Sequence, residues 1–142
     1  IYDTVVNAGP GGGIEFFHGY TYSGHPLAAA AGLAALDVYE EEGLFQRAAD
    51  LAPAWEAAVH QLASAPNVID IRNLGLVAAI ELEPRAGAPG ARGGEVMQAC
   101  FDQGVLVRVT GDVIALSPPL IIETAQIDEI VECVSEAIKK TA

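Results

Sequence analysis

The chain has 142 residues, 51% of them hydrophobic and 18% charged, and carries a net charge of −12. That is enough apolar material for the core of about one domain. So acidic a chain lacks the basic surface that nucleic acid requires, and anionic membranes would repel it. Its longest apolar run, Leu27 to Leu36, is too short to span a bilayer, and no basic-then-apolar signal peptide stands at the start. Soluble small-molecule chemistry in the cytoplasm is the expected setting.

In chain order, Tyr2 to Val6 predicts a short helix, followed by a Gly-Pro loop from Ala8 to Gly13. Next comes Phe17-His18-Gly19-Tyr20-Thr21-Tyr22-Ser23-Gly24-His25-Pro26, which crowds hydroxyls, imidazoles and glycines into one loop and places a proline where a helix would begin. A helix start offers unpaired N–H groups and a positive dipole end, and Gly19 and Gly24 would let the backbone approach a bound phosphate. Leu27 to about Glu42 is apolar nearly all round in its first half, which predicts a helix buried between layers, with Gly43 as its stop. Leu44 to Ser64 has helical spacing through Leu51, Trp55, Val59 and Leu62, and Pro53 predicts a kink or break; this helix should cover one face of a sheet.

Val68–Arg72, Leu76–Leu82, Val105–Val109 and Val113–Leu116 are short segments rich in β-branched residues, and the last two predict a hairpin around Thr110-Gly111-Asp112. Pro84 to Gly94 reads as a flexible surface loop and Glu95 to Gln103 as a helix. A last helix, capped near Thr124, carries Ile127, Ile130, Val131, Val134 and Ile138 on one face. The fold class is therefore α+β, with a small, mainly antiparallel sheet covered by helices. Cys100 and Cys133 lack CxxC spacing and read as small buried hydrophobes, with no disulfide and no metal site.

Few residues invite a chemical role. The Thr21 hydroxyl is a suitable phosphate donor, although Thr21 and Ser23 could equally bond their own backbone in a turn. His18 and His25 lack further ligands and read as hydrogen-bonding framework. Tyr20 and Tyr22 suit either a pocket wall or an interface. Arg108 is a cation inside an otherwise apolar strand; its planar guanidinium grips a carboxylate through two parallel hydrogen bonds, or else stands on the solvent face of an edge strand. Arg72 lies beside a glycine turn and suits a pairing with Asp70 or Glu81.

The segment His18-Gly-Tyr-Thr-Tyr-Ser-Gly-His-Pro-Leu27, with its Ala-rich helix and Glu41-Glu42-Gly43-Leu44, closely resembles the class III, pyridoxal-phosphate-dependent aminotransferases. Arg72-Asn-Leu-Gly-Leu76, Leu106-Val-Arg-Val-Thr-Gly-Asp112 and Ile114-Ala-Leu-Ser-Pro-Pro-Leu120 agree with it, and His25 places the chain nearest the branch that moves ω-amino groups to pyruvate. The resemblance implies the C-terminal portion of a fold-type-I enzyme. Residues 1–26 would end the large cofactor-binding domain and include its phosphate loop, 27–43 would be a linking helix, and 44–142 a C-terminal small domain. It further implies a homodimer or dimer of dimers in which Thr21, with the backbone around Tyr20, reaches the pyridoxal 5'-phosphate of the other subunit. Arg108 would receive the carboxylate of a 2-oxo acid or amino acid and swing away for an uncharged amine. Such chemistry needs a lysine that forms a Schiff base with the cofactor. The only lysines, Lys139 and Lys140, read as solvated charge at the end of a helix, so no catalytic residue is expected in this chain and the Schiff-base lysine is expected upstream of Ile1. Another class III aminotransferase or aminomutase, or a non-catalytic dimerisation fragment, would be the alternative.

Overall fold

A computed structural model describes Asp3, Thr4, Asn7 and residues 19–142. Most of the predicted first helix, the loop from Ala8 to Gly13, and Phe17 and His18 lie outside the described residues. The chain divides into two compact units, residues 1–37 and 38–142.

In the first unit, residues 21–24 form a turn and helix α1, Pro26–Glu41, begins directly after His25, its last residues, 38–41, belonging to the second unit. Pro26 occupies the first helical position, where its missing N–H leaves no hydrogen bond unmade. The helix forms as its alanine-rich sequence dictates, but the expected burial is not met: no residue of α1 is buried, and Leu27, Leu33 and Leu36 are exposed. Nothing among the described residues covers this apolar surface.

The second unit holds α2 (Leu44–His60), a 3₁₀ turn (Gln61–Ser64), β1 (Val68–Leu74), β2 (Val77–Leu82), α3 (Ala91–Asp102), β3 (Arg108–Thr110), β4 (Val113–Leu116) and α4 (Thr124–Lys140). Gly43 ends α1 and precedes α2 with a φ of 61°, a left-handed conformation that a glycine adopts without strain. Pro53 does not break α2. It lies on the exposed side together with Ala49, so the carbonyl deprived of its helical partner faces water, and the helix runs on to His60.

The four strands form one antiparallel sheet in the order β1-β2-β4-β3, which includes the expected β3–β4 hairpin. The strand predicted from Val105 starts only at Arg108, because the Val105 N–H bonds the Cys100 carbonyl at 3.0 Å and closes the end of α3 instead. Alternation sorts the side chains. Ala78, Ile80, Leu82, Ile114 and Leu116 are buried on one face, where Trp55 and Val59 of α2, Val96 and Cys100 of α3, and Ile127, Val134 and Ile138 of α4 join them in a single core. Ile80, Ile114 and Trp55 are fully enclosed, so the sheet's covered face is the centre of the fold. The opposite face carries Arg72, Ala79, Glu81, Val113, Ala115 and Arg108, none of them buried.

One further expectation needs correction. The predicted loop Pro84 to Gly94 gives way at Ala91 to the first turn of α3, in which Arg92 and Gly93 are buried. The last helix is capped near Thr124 as expected, by Glu123: Glu123 and Gln126 exchange side-chain and backbone hydrogen bonds in a capping box. The cysteines are buried, as expected of small hydrophobes. Cys100 and Cys133 are free, buried and neighbours, and burial first, then the adjacent Cys133 sulfur, pushes the Cys100 thiol up to about 12.

Candidate functional site

The loop before α1 is ordered by its own backbone. The Ser23 N–H donates to the Tyr20 carbonyl at 2.9 Å and the His25 N–H to the Tyr22 carbonyl at 3.2 Å, with Gly24 at a φ of 76°. The His25 imidazole Nδ1 accepts from the Ala28 N–H at 3.4 Å, and its carbonyl accepts from Ala29. The ring thus occupies the position of a helix cap, the role usually taken by a serine or aspartate, which agrees with its reading as framework. These bonds leave the Thr21 hydroxyl without a hydrogen bond among the described residues, on an exposed turn at a helix N-terminus. A hydroxyl donor at the positive end of a helix is what a phosphate oxygen requires. The loop therefore fits the phosphate of a cofactor. Tyr20 and Tyr22 are both well exposed.

Arg108 lies in the second unit, on the edge strand β3, with its backbone opposite Ala115. It lines a groove of about 420 Å³ together with Met97, Leu106, Val109, Ala115 and Ser117. A comparison of the five arginines separates it from the rest. Arg47 donates to the carbonyls of Ile121 and Ile122, the latter at 2.6 Å. Arg72 is held by Asp70 and by Glu81 at 2.7 Å, as its sequence position suggested; these hydrogen bonds, that of Glu81 foremost, hold its guanidinium above the ordinary value. Arg85 forks onto Glu95 and reaches the Thr141 carbonyl; its hydrogen bond draws the Glu95 carboxyl below the usual range, against a smaller effect of desolvation. Arg92, buried, ties the carbonyls of Glu83 and Thr141 together at 2.9 Å each. Arg108 alone among them makes no hydrogen bond or ion pair with a described residue.

The hairpin that presents Arg108 is fastened from behind by a residue the sequence reading took for a turn. The Asp112 carboxylate accepts from the Gly90 N–H at 2.6 Å and the Gly93 N–H at 2.9 Å, capping α3 from across the fold. Desolvation would raise its pKa, but the hydrogen bonds from Gly93 and Gly90, with the charge of Arg92, outweigh that and hold it below the ordinary value. A Cβ on Gly93 would come within 2.3 Å of the Gly111 carbonyl oxygen, so only glycine lets the hairpin turn sit this close to α3. An aspartate after Thr-Gly gives no sign in the sequence of partners 19 and 22 residues away.

Lys139 and Lys140 stand exposed in the last turn of α4, where their charge complements the negative end of the helix. Among the described residues no group of histidine, cysteine or carboxylate side chains is arranged to hold a metal ion, and no helix is long and apolar enough to cross a membrane.

Residues 2–138 match the model of the class-III aminotransferases. An omega-aminotransferase of Caulobacter vibrioides is 59% identical over 97% of this chain, and a beta-alanine–pyruvate aminotransferase of Pseudomonas aeruginosa is 46% identical over the whole of this chain. The chain spans about a third of those relatives, 31% and 32% of their respective lengths. Among solved structures, a thermostable omega transaminase variant from Pseudomonas jessenii superposes with a TM-score of 0.79 at 34% identity, over 89% of this chain and 30% of that one. A PMP-bound aminotransferase from Vibrio fluvialis does so with a TM-score of 0.74 at 33% identity, over 89% and 29%. Sequence and fold agree, and the chain belongs to the class-III aminotransferase family.

Proposed function

We propose that this chain is the C-terminal part of a pyridoxal-phosphate-dependent aminotransferase that moves an amino group from an ω-amino acid or amine to pyruvate or another 2-oxo acid. The observation that carries the reading is Arg108, a guanidinium without a partner among the described residues, over a groove on the open face of the sheet, in a chain whose other four arginines are engaged. The names of the similar proteins from Caulobacter vibrioides and Pseudomonas aeruginosa support the same chemistry. Residues 1–26 close the large domain, 27–43 link, and 44–142 form the small domain. The enzyme works as a homodimer or dimer of dimers in the cytoplasm, and the exposed apolar side of α1 suits contact with structure beyond this chain.

Each residue has a separate task. The Thr21 hydroxyl, with the backbone around Tyr20, holds the cofactor phosphate. Pyridoxal phosphate, when bound, supplies the electron sink that lets an amino group pass between two carbon skeletons. The Schiff-base lysine belongs to the portion upstream of Ile1. Arg108 takes the substrate carboxylate in a bidentate grip, orients the reacting carbon, and moves aside for an amine that has no carboxylate. Asp112 acts behind Arg108, keeping the hairpin at a fixed height against α3.

Kinetics of the complete aminotransferase carrying Arg108→Ala test this reading. The kcat/KM for a 2-oxo acid should fall by about 2 to 5 kcal/mol in transition-state stabilisation, as when one partner of a charge pair is removed, with a far smaller loss for an amine lacking a carboxylate. Equal losses for both substrate classes would remove the carboxylate role.

A further inference from the structure

The open face of the sheet is ordered across its strands. Cα pairing sets Arg72 opposite Ala79, Ala79 opposite Ala115, and Ala115 opposite Arg108, so one transverse row reads Arg-Ala-Ala-Arg. The row beside it reads Asp70, Glu81, Val113, Thr110. Strands favour β-branched and aromatic side chains and disfavour alanine. Two alanines in register on the central strands therefore leave a low floor where a taller side chain would pack better, and they leave it between two arginines.

Those arginines differ in state. Arg72 is fastened to Asp70 and Glu81, whereas Arg108 has no partner among the described residues. A carboxylate offers about four acceptor sites, and the hydrogen bond from Arg72 is the one that Glu81 accepts among the described residues. From Arg108, Glu81 lies two strands across and two residues along, about 12 Å between Cα positions from the usual strand spacing and rise. Two extended side chains close that gap across β4, where Ala115 stands in the arginine's row and Val113 in the glutamate's, so the alanine is the low side of the path.

We propose that Ala115 and Glu81 set substrate specificity by giving Arg108 a second resting place: the guanidinium lies across the alanine floor and bonds Glu81 whenever the bound substrate brings no carboxylate. This rests on the assignment of Arg108 to the substrate carboxylate. A cation left beside an uncharged substrate without a partner would be strongly unfavourable, and Glu81 removes that penalty. With a carboxylate substrate the guanidinium stays over the groove at Ser117 and Met97. Ala115 and Glu81 are positioning residues, acting on substrate choice through Arg108 alone.

The test is the single-turnover half-reaction of the complete enzyme with β-alanine, which carries a carboxylate, and with benzylamine, which does not. Arg108→Ala comes first: an unchanged ratio between the two donors overturns the carboxylate assignment and this inference with it. Given a changed ratio, Ala115→Val, which raises the floor, and Glu81→Gln, which removes the second partner, should each slow benzylamine about tenfold and β-alanine less than about threefold. In the Arg108→Ala background both effects on the ratio should vanish, since residues acting through one group are non-additive. Equal slowing of both donors, or a selective effect that persists without Arg108, overturns the inference while leaving the carboxylate assignment intact. Should Ala115→Val fail to fold, Glu81→Gln, an exposed isosteric change, decides alone.

Discussion

The segment from Gly19 through α1 and the sheet unit are both rich in apolar residues, yet they use them in opposite ways. In residues 38–142 the apolar side chains converge, and Trp55, Ile80 and Ile114 are fully enclosed. Along α1 they spread round the helix and none is buried. Periodicity tells the two apart. A stripe such as that of α4 specifies one partner surface within the fold, whereas an all-round apolar helix specifies surroundings on every side. The first kind of sequence stabilises itself, and the second awaits other structure.

That contrast can be broken by substitution, with thermal or denaturant unfolding of this chain as the measurement. Trp55→Ala should have the largest effect, a loss of about 3 to 5 kcal/mol, because it empties the centre of the core. A loss under about 1 kcal/mol would mean that the sheet unit is not the cooperative part. Next comes Asp112→Ala, at about 1.5 to 3 kcal/mol, the range for hydrogen bonds to a charged group. Its signature is a pH dependence. The folded pKa of Asp112 is depressed, so its contribution is complete above the ordinary aspartate value of about 3.9 and is lost as pH falls through the lowered folded value. The variant should therefore lose less stability than the parent on acidification below about pH 4; parallel curves would assign the cap no ionic part.

The loop and helix should behave otherwise. Thr21→Ala should leave unfolding of this chain unchanged but weaken cofactor retention in the complete enzyme by about 1 to 3 kcal/mol, measured as the dissociation constant for pyridoxal phosphate. Retained affinity would return Thr21 to a simple turn. Leu33→Ser should have the smallest effect, within about 0.5 kcal/mol on unfolding, as for surface positions generally. A larger loss would show that α1 is covered after all.

Local pattern carried much of the fold. The four strands, the β3–β4 hairpin, the buried face of α4, the burial of the two cysteines and the Arg72 pairing all follow from alternation, helical spacing, residue type or near neighbours in sequence. What escaped reading depends on contacts between distant segments. Gly90, Gly93 and Gly94 look like loop until Asp112 supplies a cap for the helix that Gly90 precedes and the other two begin. Pro53 looks like a break until its exposure shows that the lost hydrogen bond goes to water. Arg108 stood out because a cation in an apolar strand is locally anomalous. Ala79 and Ala115 did not, since a small residue is notable only when register shows what stands opposite.

The two cysteines have a practical consequence. Both cysteines are buried in the folded chain, and burial pushes the Cys100 thiol up to about 12. A thiolate-selective reagent at neutral pH therefore has almost nothing to attack until α3 and α4 separate. Alkylation of Cys100 and Cys133 becomes a clock for opening of this helix pair, read by mass without any introduced label, and its rate in the presence and absence of cofactor would report how far cofactor binding quiets that motion.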